Sequence, residues 1–534
     1  MLLALVIACC VAVIGESRGD NVSFGCARVN VVRDLHAPDA DLVLEDSPPG
    51  TAPCHLTVGP NVTVRKLFFG SPSHQAFMSN ATVRSIVVHN VSARSIVFGP
   101  VLGYHDGGGI HVSNVFVRSS ETDCFAAVMC YYPANWTPPL LVSWQCNPRA
   151  DRAERAPRFF TIRDSVFHHF GERHCTEDCR VMRLIGIGAD LIEVTNCTLE
   201  GGRRSITAQH VVANQFLIRS NRIVVHHSRN WGDRNPLMFL NMLIEDAFVL
   251  DGNTIDAISQ QTGPVLVSIG NMHSARAGAA VHVKENRLSV QHNGSGTASA
   301  VIDIFRVSNM SLVAVVANTV RYGRVCGYGI ELRLLRDVRT VQISRNRIDV
   351  DAELEIASPF VVAVGIAFAP DVESGDWSTP ALWNVERCLV TQNSVIVRHR
   401  GVGVNDQGVS VAIAALLFSM TNVPELRFED NDITVFADWE RFLAVPAGKI
   451  AAGFASMLMP LAIFINVTTV TVSRNTIRLN VSGATHAGLL GLESWSRNSA
   501  RAGCAERGAR PSIGAPPRVS CPHRGTRARA PVSR

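Results

Sequence analysis

The chain has 534 residues, 47% of them hydrophobic and only 18% charged, so it carries far more core material than a linker and is neither disordered nor collagen-like. Aromatics are only 7%, which leaves Val, Ile, Leu and Ala to build the core, the mixture that a sheet-rich protein buries. Of the net charge of +5, residues 497–534 hold nine Arg against the single acid Glu506; the rest of the chain is mildly acidic, and no basic stripe interleaved with aromatics marks a nucleic-acid partner.

Residues 2–14 form an uninterrupted apolar run of 13, followed by Gly15, Ser17 and Gly19, so residues 1–19 read as a secretory signal peptide although no Lys or Arg precedes the run. The run falls short of the roughly 18 apolar residues that a membrane span needs. No further membrane segment is expected, because the apolar stretch at 451–465 is interrupted by Gly453, Ser456 and Pro460 and belongs to the repeat described next. Residues 20–120 contain strand-like runs that do not hold a common register, and they read as an N-terminal cap with incomplete coils. Residues 121–157, with Cys124, Cys130, Cys146, Tyr131, Tyr132, Trp136 and Trp144, break the pattern and read as a Cys- and aromatic-rich insertion.

Residues 158–495 hold a repeat. Alignment on Asn221, Asn253, Asn286, Asn318, Asn346, Asn393, Asn431 and Asn475 puts apolar residues five and three positions before each Asn and another two positions after. Alternation on both sides is the period of a strand, and turn formers precede the Asn, so each copy reads as strand, tight bend, strand. The anchor Asn is expected to take the left-handed backbone of the bend and to stack in a ladder about 4.8 Å apart. Nine residues before the last five anchors stand Asn309, Asp337, Asn384, Asn422 and Asn466, each followed by Met or Val, and a third apolar run precedes that turn. Two degraded copies place Ser165 and Cys197 at the anchor. Anchor spacings of 32, 33, 32, 28, 47, 38 and 44 residues fit fixed strand modules joined by one elastic loop. The predicted fold is all-β, a right-handed parallel β-helix, or solenoid, with about three strands per coil. Residues 496–534 hold hardly any large apolar side chains and read as a disordered Arg/Pro/Gly-rich tail.

Ten Asn-x-Ser/Thr sequons, at Asn21, Asn61, Asn80, Asn90, Asn135, Asn196, Asn293, Asn309, Asn466 and Asn480, are glycosylation candidates and exceed the roughly four expected by chance. The cysteines agree with an oxidising compartment, since Cys124, Cys130, Cys146, Cys175 and Cys179 are dense enough to read as local disulfides. The leader, the sequons, the Val-rich coils and the strings SRNTI and SRNRI together resemble the dispersed gene family of trypanosomatid surface proteins, over roughly residues 1–495. That resemblance implies a long glycosylated β-helix exposed at the cell surface and suits a fragment. It carries no catalytic residues.

Each chemistry-bearing cluster also has a plainer reading. Asp349, Asp351, Glu353 and Glu355 alternate on one strand face, about 7 Å between neighbours, and read as a solvated outer face rather than a calcium site. The pairs His168/His169 and His226/His227, with His174, Cys175 and Cys179 near the first, cannot each aim both rings at one metal, because consecutive strand residues face opposite ways. Cys388 reads as a buried small hydrophobe. A glycine run at 107–109 reads either as an anion-binding turn or as a strand start. Neither a metal nor another cofactor is called for, and no catalytic residue is singled out. The expected function is non-enzymatic: a secreted or cell-surface glycoprotein presenting a β-helix surface for adhesion to extracellular proteins or glycans. The alternatives are a polysaccharide lyase or glycoside hydrolase of the pectin-lyase-like β-helix class, and a truncated, non-functional family member.

Overall fold

The computed structural model describes residues 21–45, 48, 50–69, 82–98, 103–104, 108–119, 128–130, 158–169, 180–201, 204–227, 236–259, 265–292, 299–323, 327–352, 355–356, 360–370, 379–399, 402–403, 409–417, 419–438, 452–460, 464–482 and 501–505. The apolar leader at residues 2–14, and with it Asn80, Asn135, Asn293, Cys124, Cys146, Cys175 and Cys179, lies outside the described residues. Cys130 closes the strand Val128–Cys130, of which only the backbone is described. The described chain is all-β, with no helix. Contacts divide it into a first unit, Met1–Gln260 with Leu266–Leu288, and a second, Gln261–Val265 with Ser289–Arg534.

In the first unit, strands pair in parallel with strands one repeat further on. One ladder runs Ile110, Phe160, Ile192, Phe216, Phe248, Val281; another runs Val117, Phe167, Leu199, Ile223, Ile255; a third runs Met182, Ile206, Leu237, Val267. All of these side chains are buried. The second unit repeats the arrangement with Val313, Val341, Cys388, Leu426, with Val320, Ile348, Val395, Ile433, and with Ile304, Leu332, Phe368, Leu417. Like therefore stacks on like, and each inward Val, Ile, Leu or Phe contributes about 1.5–3 kcal/mol by leaving water. Phenylalanines thicken the core of the first unit, where Phe69 stacks on Phe98 at 4.9 Å and Phe239 meets Phe248 edge-on at 4.9 Å.

The anchor asparagines are buried, except the half-buried Asn475, yet the left-handed backbone belongs to the residue before each of them. In the first unit Ser220, Gly252 and Glu285 have φ of 53°, 63° and 56°; in the second, Ala317, Arg345, Gln392, Asp430 and Arg474 have φ of 57°, 56°, 58°, 56° and 54°. The expected assignment of that conformation to the Asn is thus corrected. The preceding residue makes the corner, and the Asn turns its amide inward. The backbone N–H and Nδ2 of Asn221 both donate to Asn253 Oδ1 at 2.9 Å, and those of Asn253 donate to Asn286 Oδ1 at 3.0 and 2.9 Å. In the second unit the same paired bonds join Asn318 to Asn346, Asn346 to Asn393, Asn393 to Asn431 and Asn431 to Asn475. The other Nδ2 hydrogen donates to a carbonyl of the preceding repeat, as from Asn253 to Ile218 at 3.0 Å and from Asn393 to Ile343 at 2.9 Å. These bonds satisfy buried backbone groups that would otherwise be orphaned where the strand bends.

The same corner extends upstream of the repeat read from sequence. Asp34, Asn61, Asn90 and Asn114 are left-handed, with φ of 52°, 58°, 51° and 51°, and each precedes a buried apolar residue: Leu35, Val62, Val91 and Val115. The strand-like runs of residues 20–120 do hold the register, contrary to the sequence reading, with an apolar side chain at the anchor place. Ser165 fills that place with a hydroxyl, which accepts from Val115 N–H at 3.2 Å, and the N–H of Cys197 donates to Asn221 Oδ1 at 2.9 Å.

The column nine residues earlier is also left-handed, with φ of 54° to 57° at Asn309, Asp337, Asn384, Asn422 and Asn466, and the residue after each is buried. Where a turn separating two strands was expected, Ser299–Val316 and Gly327–Ser344 run through this corner as continuous 18-residue strands. The tail expected to be disordered contributes one strand, Arg501–Ala505, which pairs in parallel with Thr469–Ser473. Residues 506–534 lie outside the described residues.

Candidate functional site: the outward rows

Alternation turns every second strand residue outward, and stacking sets outward groups of successive repeats about 4.8 Å apart. A site on such a fold is therefore a row drawn from several repeats. In the first unit one row carries His111, Thr161 and Glu193 in register. His111 Nδ1 and Thr161 Oγ1 share a hydrogen bond of 2.9 Å, Arg163 pairs with Glu193, and Thr195 Oγ1 donates to Glu193 Oε1 at 3.0 Å. Burial, with the Arg163 charge beside it, lowers the His111 pKa, so its ring stays neutral over a wider range. In the neighbouring row Lys284 meets Asp251 at 3.1 Å.

The paired histidines behave as strand neighbours should. His168 reaches Glu200 at 3.0 Å and lies edge-on to Phe116 at 5.6 Å, while His169 is buried. The side chains of His226 and His227, and all of His174, lie outside the described residues. Among the described residues no group of three or more His, Cys, Asp or Glu is arranged to hold a metal ion.

In the second unit, carboxylates and a guanidinium converge on one outward face. Asp303, only 5% exposed, receives both Nε and Nη2 of Arg333, at 3.1 and 2.7 Å, and Arg333 also stands 3.9 Å from Glu331 and 4.8 Å from the Phe305 ring. Tyr328, at the near end of this face, is pushed up to about 12 by burial and then by the Glu331 charge, so it remains a neutral phenol. Of the alternating carboxylates, Asp349 pairs with Arg398 one repeat on, and Val350 and Ala352 are buried between them as alternation requires. Glu353 and the side chain of Glu355 lie outside the described residues. A fork-to-fork Arg–carboxylate pair keeps the lone pairs of its acid occupied, an arrangement suited to fixing geometry rather than to moving protons.

One open row of the second unit is the corner nine residues before the anchors. Asn384 Nδ2 donates to Asp337 Oδ1 at 2.8 Å, Asn422 Nδ2 to Asn384 Oδ1 at 2.7 Å and Asn466 Nδ2 to Asn422 Oδ1 at 2.8 Å, all in exposed positions. Beside them Arg336 stacks on Trp383 at 4.9 Å and pairs with Asp337 at 3.1 Å. An aromatic face, a fixed guanidinium and a file of half-used amides can together engage hydroxyl-rich or peptide partners.

Of the sequons, Asn21, Asn61, Asn90, Asn196, Asn466 and Asn480 are exposed and Asn309 is half-buried. The cysteine pattern read from the sequence lies mostly outside the described residues, whereas a disulfide that sequence reasoning did not single out joins Cys26 to Cys54. Its signal was no more than two cysteines 28 residues apart, close to the length of one repeat. Cys197 and Cys388 are free and buried, and burial pushes the Cys197 thiol up to about 12 and that of Cys388 higher still. Gly107 lies outside the described residues, and Gly108 has a packing cause, since a Cβ there would sit 1.3 Å from the Arg84 carbonyl oxygen. Comparison with known proteins finds no matching family model, no matching curated protein and no matching solved structure.

Proposed function

We propose that the chain is a secreted or cell-surface glycoprotein, folded as a right-handed parallel β-helix with about three strands per coil, whose outward rows bind extracellular proteins or glycans. The observation that carries this reading is the exposed row of Asp337, Asn384, Asn422 and Asn466 with the Arg336–Trp383 stack beside it, polar groups spaced by the coil and open to a partner. Parallel pairing from each repeat to the next supports the β-helix. The Cys26–Cys54 bridge, the apolar leader and the exposed sequons support export. The resemblance to the trypanosomatid dispersed gene family belongs to the same proposal.

The test is binding of the full chain, secreted from a eukaryotic host, to arrays of extracellular glycans and to host-cell surfaces. Trp383→Ala with Asn384→Ala should lower affinity by about tenfold, as expected when a stacking platform and a hydrogen bond are removed together. Binding unchanged in that variant sinks the assignment of this row. A second reading, a polysaccharide lyase or glycosidase, draws on the convergence of Asp303, Glu331 and Arg333. Release of new chain ends from acidic polysaccharides by the wild-type chain, lost in Glu331→Gln, would favour it.

Glycopeptide mapping of the same material addresses modification. We expect glycans at the exposed Asn196 and Asn466; a chain secreted with both unmodified would count against the outward position of these corners as modification sites.

A further inference from the structure

The third ladder of the first unit sets two hydroxyls where no solvent reaches. Phe239 meets Phe216 at 5.7 Å and Phe248 at 4.9 Å in the interior, and Ala208 stands in register with Phe239. Alternation along the strand Arg204–Arg219 therefore turns Ser205 and Thr207 to the opposite face. Both residues are 0% exposed, and neither Ser205 Oγ nor Thr207 Oγ1 has a hydrogen-bond partner. Buried hydroxyls are nearly always satisfied, so two unsatisfied ones on one face call for a third component that completes them. Arg183 lies in register beside Thr207 on the neighbouring strand and brings a positive charge to the same face.

Spacing discriminates between candidates for that component. Residues two apart on a strand are about 6.6 Å apart. A single water accepting from two parallel hydroxyls spans about 5.5 Å, twice an ordinary O–H···O length. An oxyanion accepts through two different oxygens, each in a bond of about 2.6 Å, and so reaches both hydroxyls.

We propose that Ser205, Thr207 and Arg183 form a binding site for a small oxyanion, held by two O–H donors and a neighbouring guanidinium. The hydroxyls lie beneath the surface, which limits the occupant to a small ion rather than a chain. The site is independent of the adhesive row in the second unit.

The experiment measures the unfolding temperature of the full chain in acetate, phosphate and sulfate, each against sodium chloride at equal ionic strength. A ligand that binds only the folded state raises the midpoint with its concentration. A rise in acetate identifies a carboxylate, and a rise in phosphate or sulfate a tetrahedral oxyanion. The double variant Ser205→Ala, Thr207→Val removes both unsatisfied hydroxyls; it should melt higher than wild type without ligand yet bind the effective oxyanion about tenfold more weakly or worse, because charge-assisted bonds are lost. Thr207→Ser keeps the donor and should keep the rise. Should the double variant not fold, Thr207→Val alone carries the comparison. No rise beyond chloride in any of the three salts, or a rise that the hydroxyl-free variant retains in full, overturns the proposal.

Discussion

At the residue scale, the corner explains why asparagine recurs. A buried Asn at the anchor offers one oxygen and two N–H groups, and all are used: Asn253 accepts from Asn221 and donates to Asn286 and to the Ile218 carbonyl. Leucine has similar volume but none of these groups. Asn253→Leu should therefore cost about 3–5 kcal/mol by leaving the Asn221 N–H and the Ile218 carbonyl buried without partners, read as a lower midpoint in urea unfolding. The corner also accounts for five of the seven sequons among the described residues. Asn61, Asn90, Asn196, Asn309 and Asn466 are each left-handed, each is followed by a buried Val, Cys or Met, and the Ser or Thr after that begins the outward row. The sequence Asn-x-Ser/Thr is thus what a left-handed Asn, an inward side chain and an outward strand hydroxyl spell, and the excess over chance has a structural origin. The buried thiols give a second residue-scale prediction. With Cys197 at about 12 and Cys388 higher, neither forms thiolate at pH 8, so both should resist iodoacetamide in the native state and react once the chain is unfolded. Their folded pKa values are raised, so the stability they contribute is present below the unfolded value of 9.0 and is lost as pH rises above it.

At the element scale, register is set by matching inward residues from repeat to repeat. Ile348 stands between Val320 and Val395, all three buried, as the anchor alignment predicts. Ile348→Asp would bury a charge with no partner on either neighbouring strand and should destabilise the second unit by about 3–5 kcal/mol in chemical denaturation. An unchanged midpoint would mean that the ladder is wrongly drawn. This much was legible because Asn at the anchor and apolar residues at fixed offsets repeat together. Upstream, Leu35, Val62, Val91 and Val115 take the anchor place, which removes the visible mark while leaving the left-handed residue before it. Aligning on Asp34, Asn61, Asn90 and Asn114 instead would have carried the repeat to the N-terminal region. Of the outward rows, the column nine residues before the anchors was legible as a repeat, but the charged pairs across repeats were not. Asp303 and Arg333 meet across 30 residues and Asp349 and Arg398 across 49, separations set by loops of unequal length that no local pattern records. The buried, unpartnered state of Ser205 and Thr207 depends on what lies against their face, which spacing alone does not encode.

At the scale of the whole molecule, the two units differ in their titratable groups. His111, His210, His273 and His282, all in the first unit, are each held below the ordinary imidazole value, chiefly by burial. A depressed folded pKa means that the unfolded chain takes up protons first, so this stability is present above about pH 6.5 and declines as pH falls through that value. Hydrogen exchange followed from pH 7.5 to 5.5 should show protection in residues 108–284 falling faster than in 299–482; equal loss in both would remove the histidines as the cause. The amide file has a different outcome for inheritance. Donor and acceptor at every joint are the same residue in the same pose, so excising residues 222–253 would bring Asn221 against Asn286 in the geometry it already has with Asn253. A gene encoding such joints can misalign with its own copies, recombine out of step and shed or gain a whole repeat, and the product still closes. Chain length thereby becomes a trait open to drift and selection, while the chemistry of each joint stays constant.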